Sequence, residues 1–239
     1  MAASVFLSAV WRDLVMLNYQ VDPALLREFV PTGTELDTYD GRTYVSLVGF
    51  RFLGTRLRGI RVPFHQNFEE VNLRFYVRRA HPEGARRGVV FIREIVPKWA
   101  VAMVARRVFH ENYISLPMVH RVGTGDEGLR LAEYLWLQNG DWQRMFLECS
   151  GAPERPPAGS LAEFITEHYW GYAKQLDGST IEYQVTHPQW RVWKAAEAHL
   201  NGDIEQLYGA VLAPYLGGQP SSAFLAEGSA VSVMQGVRL

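Results

Sequence analysis

Residues 69–79 read EEVNLRFYVRR, and this stretch decides the fold class. Apolar and polar side chains alternate along it, which indicates a β-strand because successive side chains of a strand point to opposite faces. The apolar face carries Val71, Leu73, Phe75 and Val77. The polar face carries Glu70, Asn72, Arg74, Tyr76 and Arg78. In an open antiparallel sheet the polar face is wet, whereas in a closed barrel it lines a cavity, and the sequence is compatible with both.

The segments on either side of this stretch predict further strands and a few helices. The turn HPEGARRG leads into GVVFIREIVP, a second strand that can pair antiparallel with the first. Three more strand-like runs, YISLPMVHRV, GLRLAEYLWL and DWQRMFLECS, follow between residues 113 and 149. Helical spacing or capping residues predict helices near 22–31, 98–110, 160–170 and 203–214. The sequence therefore predicts a mainly β (α+β) fold, an antiparallel barrel or sandwich with peripheral helices, as a single domain over residues 1–239.

Composition excludes several classes of partner. The net charge is −1 with no basic block, so a nucleic acid is not expected to bind. Cys149 is the single cysteine, which excludes an internal disulfide and fits a reducing cytoplasm. The first residues lack the basic region of a signal peptide, and no apolar run reaches the length of a membrane span. We expect a cytoplasmic protein without a membrane partner.

Familiar cofactor and metal motifs are absent or unconvincing. Residues 123–128 match the pattern GxGxxG, but Asp126 and Glu127 lie inside the loop and repel a pyrophosphate. No P-loop, GxSxG or HExxH occurs. The histidines show no ligand spacing and are interpreted as ordinary surface or core residues; they include His110, His120, His168 and His187. The sequence predicts neither a cofactor nor a metal.

Lys98 is the most conspicuous candidate for chemistry. It follows Pro97 and stands between an apolar strand, whose only charges are Arg93 and Glu94, and the predicted helix 98–110. In the first turn of a helix the dipole disfavours an ammonium, and burial favours the neutral amine, which is the nucleophile that forms a Schiff base with a carbonyl. The alternative is a solvated lysine at a strand end with no chemical role.

The segment REIVPKWAVAMVAR resembles the lysine segment of the acetoacetate decarboxylase-like superfamily. Over nearly the whole chain the sequence is more similar to the uncharacterised YqjF-like family, domain of unknown function 2071. The matching pieces, in order, are WRDLVMLNYQVDPALL, LVGFRF, FEEVNLRFYV, GVVFIREIVPK, ARRVFHENY and FLAEGSAVSV. The resemblance implies a β-barrel or cone around a central cavity, with Lys98 as the Schiff-base lysine and Glu70 as a cavity glutamate. Trp99 stands where the decarboxylases have a second lysine, which argues against acetoacetate decarboxylation itself.

Three functions follow as hypotheses. The first is a lysine-dependent lyase of the decarboxylase, aldolase or dehydratase type, acting on a small keto acid or other carbonyl compound. Lys98 is its nucleophile, Glu70 and Glu94 move protons, and the predicted substrate-binding residues are Arg74, Asn72, Tyr76, Trp99 and Arg93. The second is a non-catalytic barrel that binds a small carbonyl or carboxylate ligand. The third is a structural protein whose barrel is filled by its own side chains. The aromatic content and sheet edges are compatible with a homodimer.

Overall fold

The computed structural model describes residues 4–98, 112–125 and 129–239, and strands predominate in them. The strands are β1 (Val5–Val21), β2 (Glu35–Leu36), β3 (Thr43–Leu57), β4 (Ile60–Arg61), β5 (Phe68–Arg79), β6 (Arg86–Val96), β7 (Tyr113–Ser115), β8 (Met118–Thr124), β9 (Arg130–Gln138), β10 (Asp141–Cys149), β11 (Trp170–Lys174), β12 (Thr180–Thr186), β13 (Val192–Asn201), β14 (Ser222–Ala226), β15 (Ala230–Met234) and β16 (Val237–Arg238). The helices are a short 3-10 helix (Pro23–Phe29), α1 (Leu161–Thr166), α2 (Ile204–Tyr208) and α3 (Ala213–Leu216). Of the predicted helix 98–110, only Lys98 is among the described residues. Trp99 and the rest of that segment lie outside them.

The strand pairings close into a ring. β1 pairs with β3, and the pairing continues through β5, β6, β11, β12 and β15 back to β1. The pairs in this ring are antiparallel except β6 with β11, which is parallel. The predicted mainly β, largely antiparallel and barrel-like fold is therefore confirmed. A second sheet leaves the ring at β1 and runs through β14, β13, β10 and β9 to β8.

β1 joins the two sheets. Its first half pairs with β15 and its second half pairs with β14, while β3 runs along its other edge. The register with β3 shifts between Arg12 and Val15, where Asp13 has a φ of 55°. Such a bulge bends a strand and increases its twist. The bend allows one strand to belong to both sheets.

The ring wall is buried on both sides. One apolar cluster, which includes Leu47 and Leu73, packs the outside of the wall against the second sheet. Another, which includes Val48 and Phe68, faces the inside of the ring. The two sheets approach closely at Gly49, where an added Cβ would lie 2.6 Å from the sulfur of Met145. Burial on both faces explains why β3 reads as a nearly continuous apolar run.

The sequence predicted the tight turn correctly but predicted helices that are longer than the observed ones. Asp40 and Gly41 form the predicted tight turn, with φ values of 50° and 70°, yet β2 before it pairs with β5 rather than with β3. The helix predicted near 160–170 ends at Thr166, and β11 begins at Trp170. The helix predicted near 203–214 is observed as α2 and α3.

Candidate ligand-binding site

The polar face of β5 lies inside the ring and lines a cavity. Glu70, Asn72 and Arg74 contribute to this cavity together with Glu94 of β6. The cavity has a volume of about 200 Å³. Its remaining walls are mostly apolar and include Phe50, Phe52, Phe68, Phe91, Trp11 and Trp190. The interpretation of this strand face as solvent-exposed is wrong, since Glu70 and Asn72 are 3% and 1% exposed.

A bulge in β6 determines whether Arg93 or Glu94 faces the cavity. Asn72 pairs with Glu94 and Leu73 with Arg93, but Arg74 pairs with Phe91, so Ile92 is the extra residue. Glu94 and Phe91 therefore share the cavity face although three positions separate them. Arg93 lies opposite Leu73 on the outer face of the wall.

Arg93 is consequently not among the described residues that line the cavity. Its charge instead acts on Tyr208 of α2, where burial raises the pKa of the phenol and Arg93 opposes that rise. The sequence-based assignment of Arg93 to ligand binding does not agree with this position. Neighbouring residues of a strand point to opposite faces, so Arg93 cannot share the cavity face with Glu94. Counted from Phe91, alternation would place Arg93 in the cavity, and the extra residue Ile92 reverses this.

Glu70 and Asn72 form a hydrogen-bonded pair on the cavity wall. The Asn72 side-chain amide donates to Glu70 Oε1 over 2.9 Å, and the Tyr113 hydroxyl donates to Glu70 Oε2 over 3.5 Å. Because the carboxylate of Glu70 accepts the Asn72 N–H, the amide orientation of Asn72 is fixed. Its Oδ1 is buried and has no hydrogen-bond partner among the described residues.

Arg74 lies beyond Asn72 on the same face. Its Nη2 is 3.5 Å from the Ile165 carbonyl, and its guanidinium carbon lies 5.9 Å from the centre of the Tyr76 ring. The buried Nε has no partner in the part of the chain that the structure describes. The guanidinium is always charged and presents donors in a fork, so it is suited to bind a carboxylate.

Tyr76 supports the wall instead of lining the cavity. Its hydroxyl lies 2.5 Å from Ser46 Oγ, which donates to Asn18 Oδ1 over 2.6 Å. This network engages the hydroxyl of Tyr76, and the ring packs on Phe164 and His168. Tyr76 was predicted to contact the substrate, but it is not among the described residues that line the cavity.

His168 is a cavity residue that the sequence analysis treated as ordinary. Its Nε2 is 3.2 Å from Asp37 Oδ2, and Arg87 Nε donates to the same oxygen over 2.7 Å. Burial lowers the pKa of His168 to about 4 against the opposing effect of Asp37. Burial also raises the pKa of Asp37, but the hydrogen bonds from His168 and Arg87 outweigh it and hold this pKa at about 2. His168 is therefore a neutral imidazole beside a carboxylate at neutral pH.

The position of its proton follows from the neighbours of His168. An ionised carboxylate only accepts hydrogen bonds, so the neutral imidazole carries its proton on Nε2 and a lone pair on Nδ1. Nδ1 is buried and unpaired with any described residue. No sequence signal pointed to this arrangement, because 131 positions separate His168 from Asp37.

Unpartnered polar atoms are concentrated around this cavity. Among the described residues, the cavity-lining side chains with a buried polar atom that lacks a hydrogen bond include Trp11, Thr55, Asn72, Arg74 and His168. Buried polar groups in native proteins almost always have a partner. These unpartnered atoms belong to residues that line the cavity, so its polar wall is not satisfied internally.

Lys98 follows the end of β6. It is half-buried, and it is not among the described residues that line the cavity. Glu94 faces the cavity four positions earlier, and Val96 between them is buried in the cluster inside the ring. The described residues contain no group of three or more His, Cys, Asp or Glu side chains that could hold a metal ion. No helix among them is long and apolar enough to cross a membrane.

A model of the DUF2071 family, described as an uncharacterized conserved protein, matches residues 8–230. The chain belongs to the DUF2071 family. A relative of this DUF2071 protein, uncharacterized protein YqjF of Bacillus subtilis (strain 168), is 28% identical over 196 residues, which cover 80% of this chain and 77% of YqjF. The predicted family membership is confirmed.

Solved structures with the same fold are acetoacetate decarboxylase-like. Acetoacetate decarboxylase from Legionella pneumophila superposes with a TM-score of 0.68 at 12% identity, covering 99% of this chain and 88% of the decarboxylase. The enduracididine biosynthesis enzyme MppR, complexed with pyruvate, superposes with a TM-score of 0.66 at 14% identity, covering 100% of this chain and 91% of MppR. At these identities the likeness establishes the fold of the DUF2071 protein, and its chemistry has to be argued from the cavity.

Proposed function

We propose that this DUF2071 protein is an enzyme that binds a small carbonyl-containing carboxylic acid in the cavity and forms a Schiff base with it through Lys98. The main support is that Glu70, Arg74 and Glu94 line one cavity whose other walls are mostly apolar. Charged side chains inside an apolar wall cost stability unless they are paired, and such groups are typical of catalytic sites.

Arg74 is the proposed anchor of the substrate. Arg74 lines a cavity whose walls are mostly apolar, so a carboxylate that pairs with its guanidinium there has little competition from water. The apolar walls accept the carbon skeleton of the ligand. Because one arginine is the anchor, an acid with a single carboxylate and a short apolar chain fits better than a sugar phosphate.

Lys98 is the proposed nucleophile. Its amine attacks the carbonyl carbon, a C–N bond forms, and the carbonyl oxygen leaves as water after it takes up protons. The resulting iminium then accepts the electron pair of a bond that breaks at the adjacent carbon. That bond is C–C in a decarboxylation or an aldol cleavage, so the proposal names a lyase.

Glu70 and Glu94 are the proposed proton carriers. Both are buried on the cavity face, Glu70 at 3% and Glu94 at 1% exposure. A carboxylate near the iminium stabilises its positive charge, and a carboxylic acid beside the leaving oxygen supplies a proton. β6 supports this assignment because the strand that holds Glu94 in the cavity runs directly to Lys98.

The ligands named for a protein of the same fold support the proposed substrate class. MppR has been solved with pyruvate, and also with the condensation product of pyruvate and imidazole 4-carboxaldehyde. Those ligands are a small keto acid and a product made from one. They make a keto acid a reasonable first substrate to test here.

Non-covalent binding is the second candidate function. It is favoured by one observation, that Lys98 is absent from the described residues lining the cavity. In this case the same acid binds to Arg74 without reaction at Lys98. Ligand-induced stabilisation then persists unchanged in Lys98→Ala.

The two candidates are separated by trapping the imine with borohydride. The chain has three lysines, Lys98, Lys174 and Lys194, so the site of a trapped adduct is simple to assign. Wild type, Lys98→Ala and Lys194→Ala are incubated with pyruvate and other small keto acids plus borohydride, and intact mass is measured. Lys194 is exposed on β13 and serves as the matched control.

We expect one adduct in wild type and in Lys194→Ala, and none in Lys98→Ala. Peptide mapping then finds the added mass on Lys98. Equal labelling of all three proteins indicates surface reaction and refutes the Schiff-base assignment. No labelling, together with equal ligand-induced shifts in melting temperature for wild type and Lys98→Ala, favours the binding protein.

A further inference from the structure

The cavity is elongated along the strands of the ring. On β5 it is lined by every second residue from Phe68 to Arg74, which cover about 20 Å of strand. Thr166 and His168 line the Arg74 end, where His168 packs on the Tyr76 ring. The loop that precedes β5 lines the Phe68 end. A ligand that fills the cavity therefore has two distinct ends to contact.

The guanidinium of Arg74 belongs to one of these ends. Its central carbon lies 5.9 Å from the centre of the Tyr76 ring, and its Nη2 is 3.5 Å from the Ile165 carbonyl. Tyr76 follows Arg74 along β5 and so lies on the side away from Phe68. Phe164, the residue before Ile165, packs on the same Tyr76 ring. A carboxylate that pairs with Arg74 is therefore held at the end of the cavity away from Phe68.

Lys98 follows β6 toward the opposite end. In the antiparallel register of β5 and β6, Val96 at the end of β6 is level with Glu70. Glu70 is four residues, or about 14 Å, along β5 from Arg74. Lys98 comes two residues after Val96, and two residues reach about 7 Å at most. No path of the chain after Val96 therefore brings the backbone of Lys98 level with Arg74.

The separation of the two backbones is retained by their side chains, because side chains of a strand stand roughly perpendicular to the sheet. In pyruvate the carbonyl and carboxylate carbons are bonded directly, about 1.5 Å apart. Such an acid is too short to pair with Arg74 and react with Lys98 at once. Glu70 is level with Val96 and so lies nearer to Lys98 than Arg74 does, which agrees with its proposed role beside the imine.

We infer that the substrate is a keto acid whose carbonyl and carboxylate are separated by a chain of about four or more bonds, long enough to reach from Arg74 to Lys98. The inference rests on the proposed Schiff base at Lys98 and narrows the substrate class to acids with a remote carbonyl. Decarboxylation through an iminium removes a carboxylate from the carbon next to the imine carbon. The carboxylate bound to Arg74 is further away and is therefore retained in the product.

The test is a series of methyl ketones that differ in the distance between carbonyl and carboxylate. Pyruvate, 4-oxopentanoate and 6-oxoheptanoate are each incubated with the protein and borohydride, and the initial rate of adduct formation on Lys98 is measured by intact mass and peptide mapping. The neutral ketone 2-heptanone is the control without a carboxylate. Each rate is divided by the rate of the same compound with Nα-acetyllysine, which removes differences in carbonyl reactivity.

We expect the corrected rate for 6-oxoheptanoate to exceed the rates for pyruvate and 2-heptanone about tenfold or more, because only the long acid uses both ends of the cavity. Arg74→Met removes the anchor and is expected to lower the rate for 6-oxoheptanoate to that for 2-heptanone, with little effect on pyruvate. Arg78→Met is the matched control, because Arg78 is exposed on the same strand and pairs with Glu35. If Arg74→Met fails to fold, the comparison of 6-oxoheptanoate with 2-heptanone in wild type still measures the contribution of the carboxylate.

The inference is overturned if pyruvate has the highest corrected rate, or if the corrected rates do not depend on chain length. It is also overturned if the advantage of 6-oxoheptanoate survives in Arg74→Met. In each of these cases adducts on Lys98 still support the proposed function, so only the narrower substrate class is refuted. Absence of adducts on Lys98 with every compound refutes the Schiff base itself, and the inference with it.

Discussion

Replacement of His168 by glutamine is expected to remove a large part of the acid sensitivity of the fold. The pKa of His168 is about 4 in the folded chain and has an ordinary value of 6.5 when exposed. Between these values the unfolded chain binds more protons than the folded chain, so stability rises with pH. The contribution is fully present above pH 6.5 and is lost as pH falls toward 4.

The magnitude follows from the size of the shift. At about 1.36 kcal/mol per pKa unit, the neutral buried ring contributes roughly 3 kcal/mol of stability at pH 7 that is lost by about pH 4. Among the described residues, the charged groups that act on His168 include Asp37, Arg87 and Arg74. With a pKa near 2, Asp37 stays ionised through this window and does not produce the loss. Burial also lowers the pKa of His187, so part of the acid sensitivity persists in the variant.

The assay is urea unfolding of wild type, His168→Gln and His199→Gln at several pH values from 4 to 7.5. The quantity compared is the change in unfolding free energy with pH, which is insensitive to any uniform loss of stability in a variant. Wild type and His199→Gln are expected to lose about 3 kcal/mol more than His168→Gln between pH 6.5 and 4. A pH dependence that is the same in all three proteins contradicts the assignment of His168 as a buried neutral ring.

Three further substitutions test the packing around the cavity by chemical denaturation. Gly49→Ala brings a methyl against Met145 and is expected to cost about 1–3 kcal/mol; unchanged stability contradicts the close approach of the sheets. Tyr76→Phe removes the hydroxyl that is hydrogen-bonded to the buried Ser46 and is expected to lower the free energy of unfolding by about 1–3 kcal/mol. Unchanged stability would mean that the hydroxyl is solvated. Leu73→Ala leaves a hole in the outer cluster, with an expected loss of about 2–5 kcal/mol; a loss under about 1 kcal/mol contradicts its complete burial.

The sequence predicted what depends on local periodicity. Alternation along β5 gave both faces of the strand correctly, and Gly and Pro punctuation located the strands of the second sheet. The 17-residue β1 was not predicted. Its second half is apolar on both faces because it lies between the ring interior and the outer cluster, so it shows no alternation to detect.

The cavity could be predicted only in part. Glu70, Asn72 and Arg74 were predicted to share one face because one strand carries them at alternate positions, and all three line the cavity. The position of His168 was not predicted because it depends on a hydrogen bond to Asp37, which is distant in the sequence. Arg93 was misplaced because a single extra residue in β6 reverses the face of its side chain. Long-range contacts and bulges of this kind leave no periodic signal in one sequence.

The distribution of polar groups between the two faces of β5 argues for selection on binding. Outside the ring, Val71, Leu73 and Phe75 pack into an apolar cluster and stabilise the fold. Inside the ring, Glu70 and Asn72 are buried as deeply as those apolar residues, although apolar side chains of similar volume are often neutral or stabilising in such positions. The polar side chains inside the ring therefore contribute less to stability than the apolar side chains on the outer face. Both faces belong to the same strand, and the polar inner face is what the proposed binding of a ligand in the cavity requires.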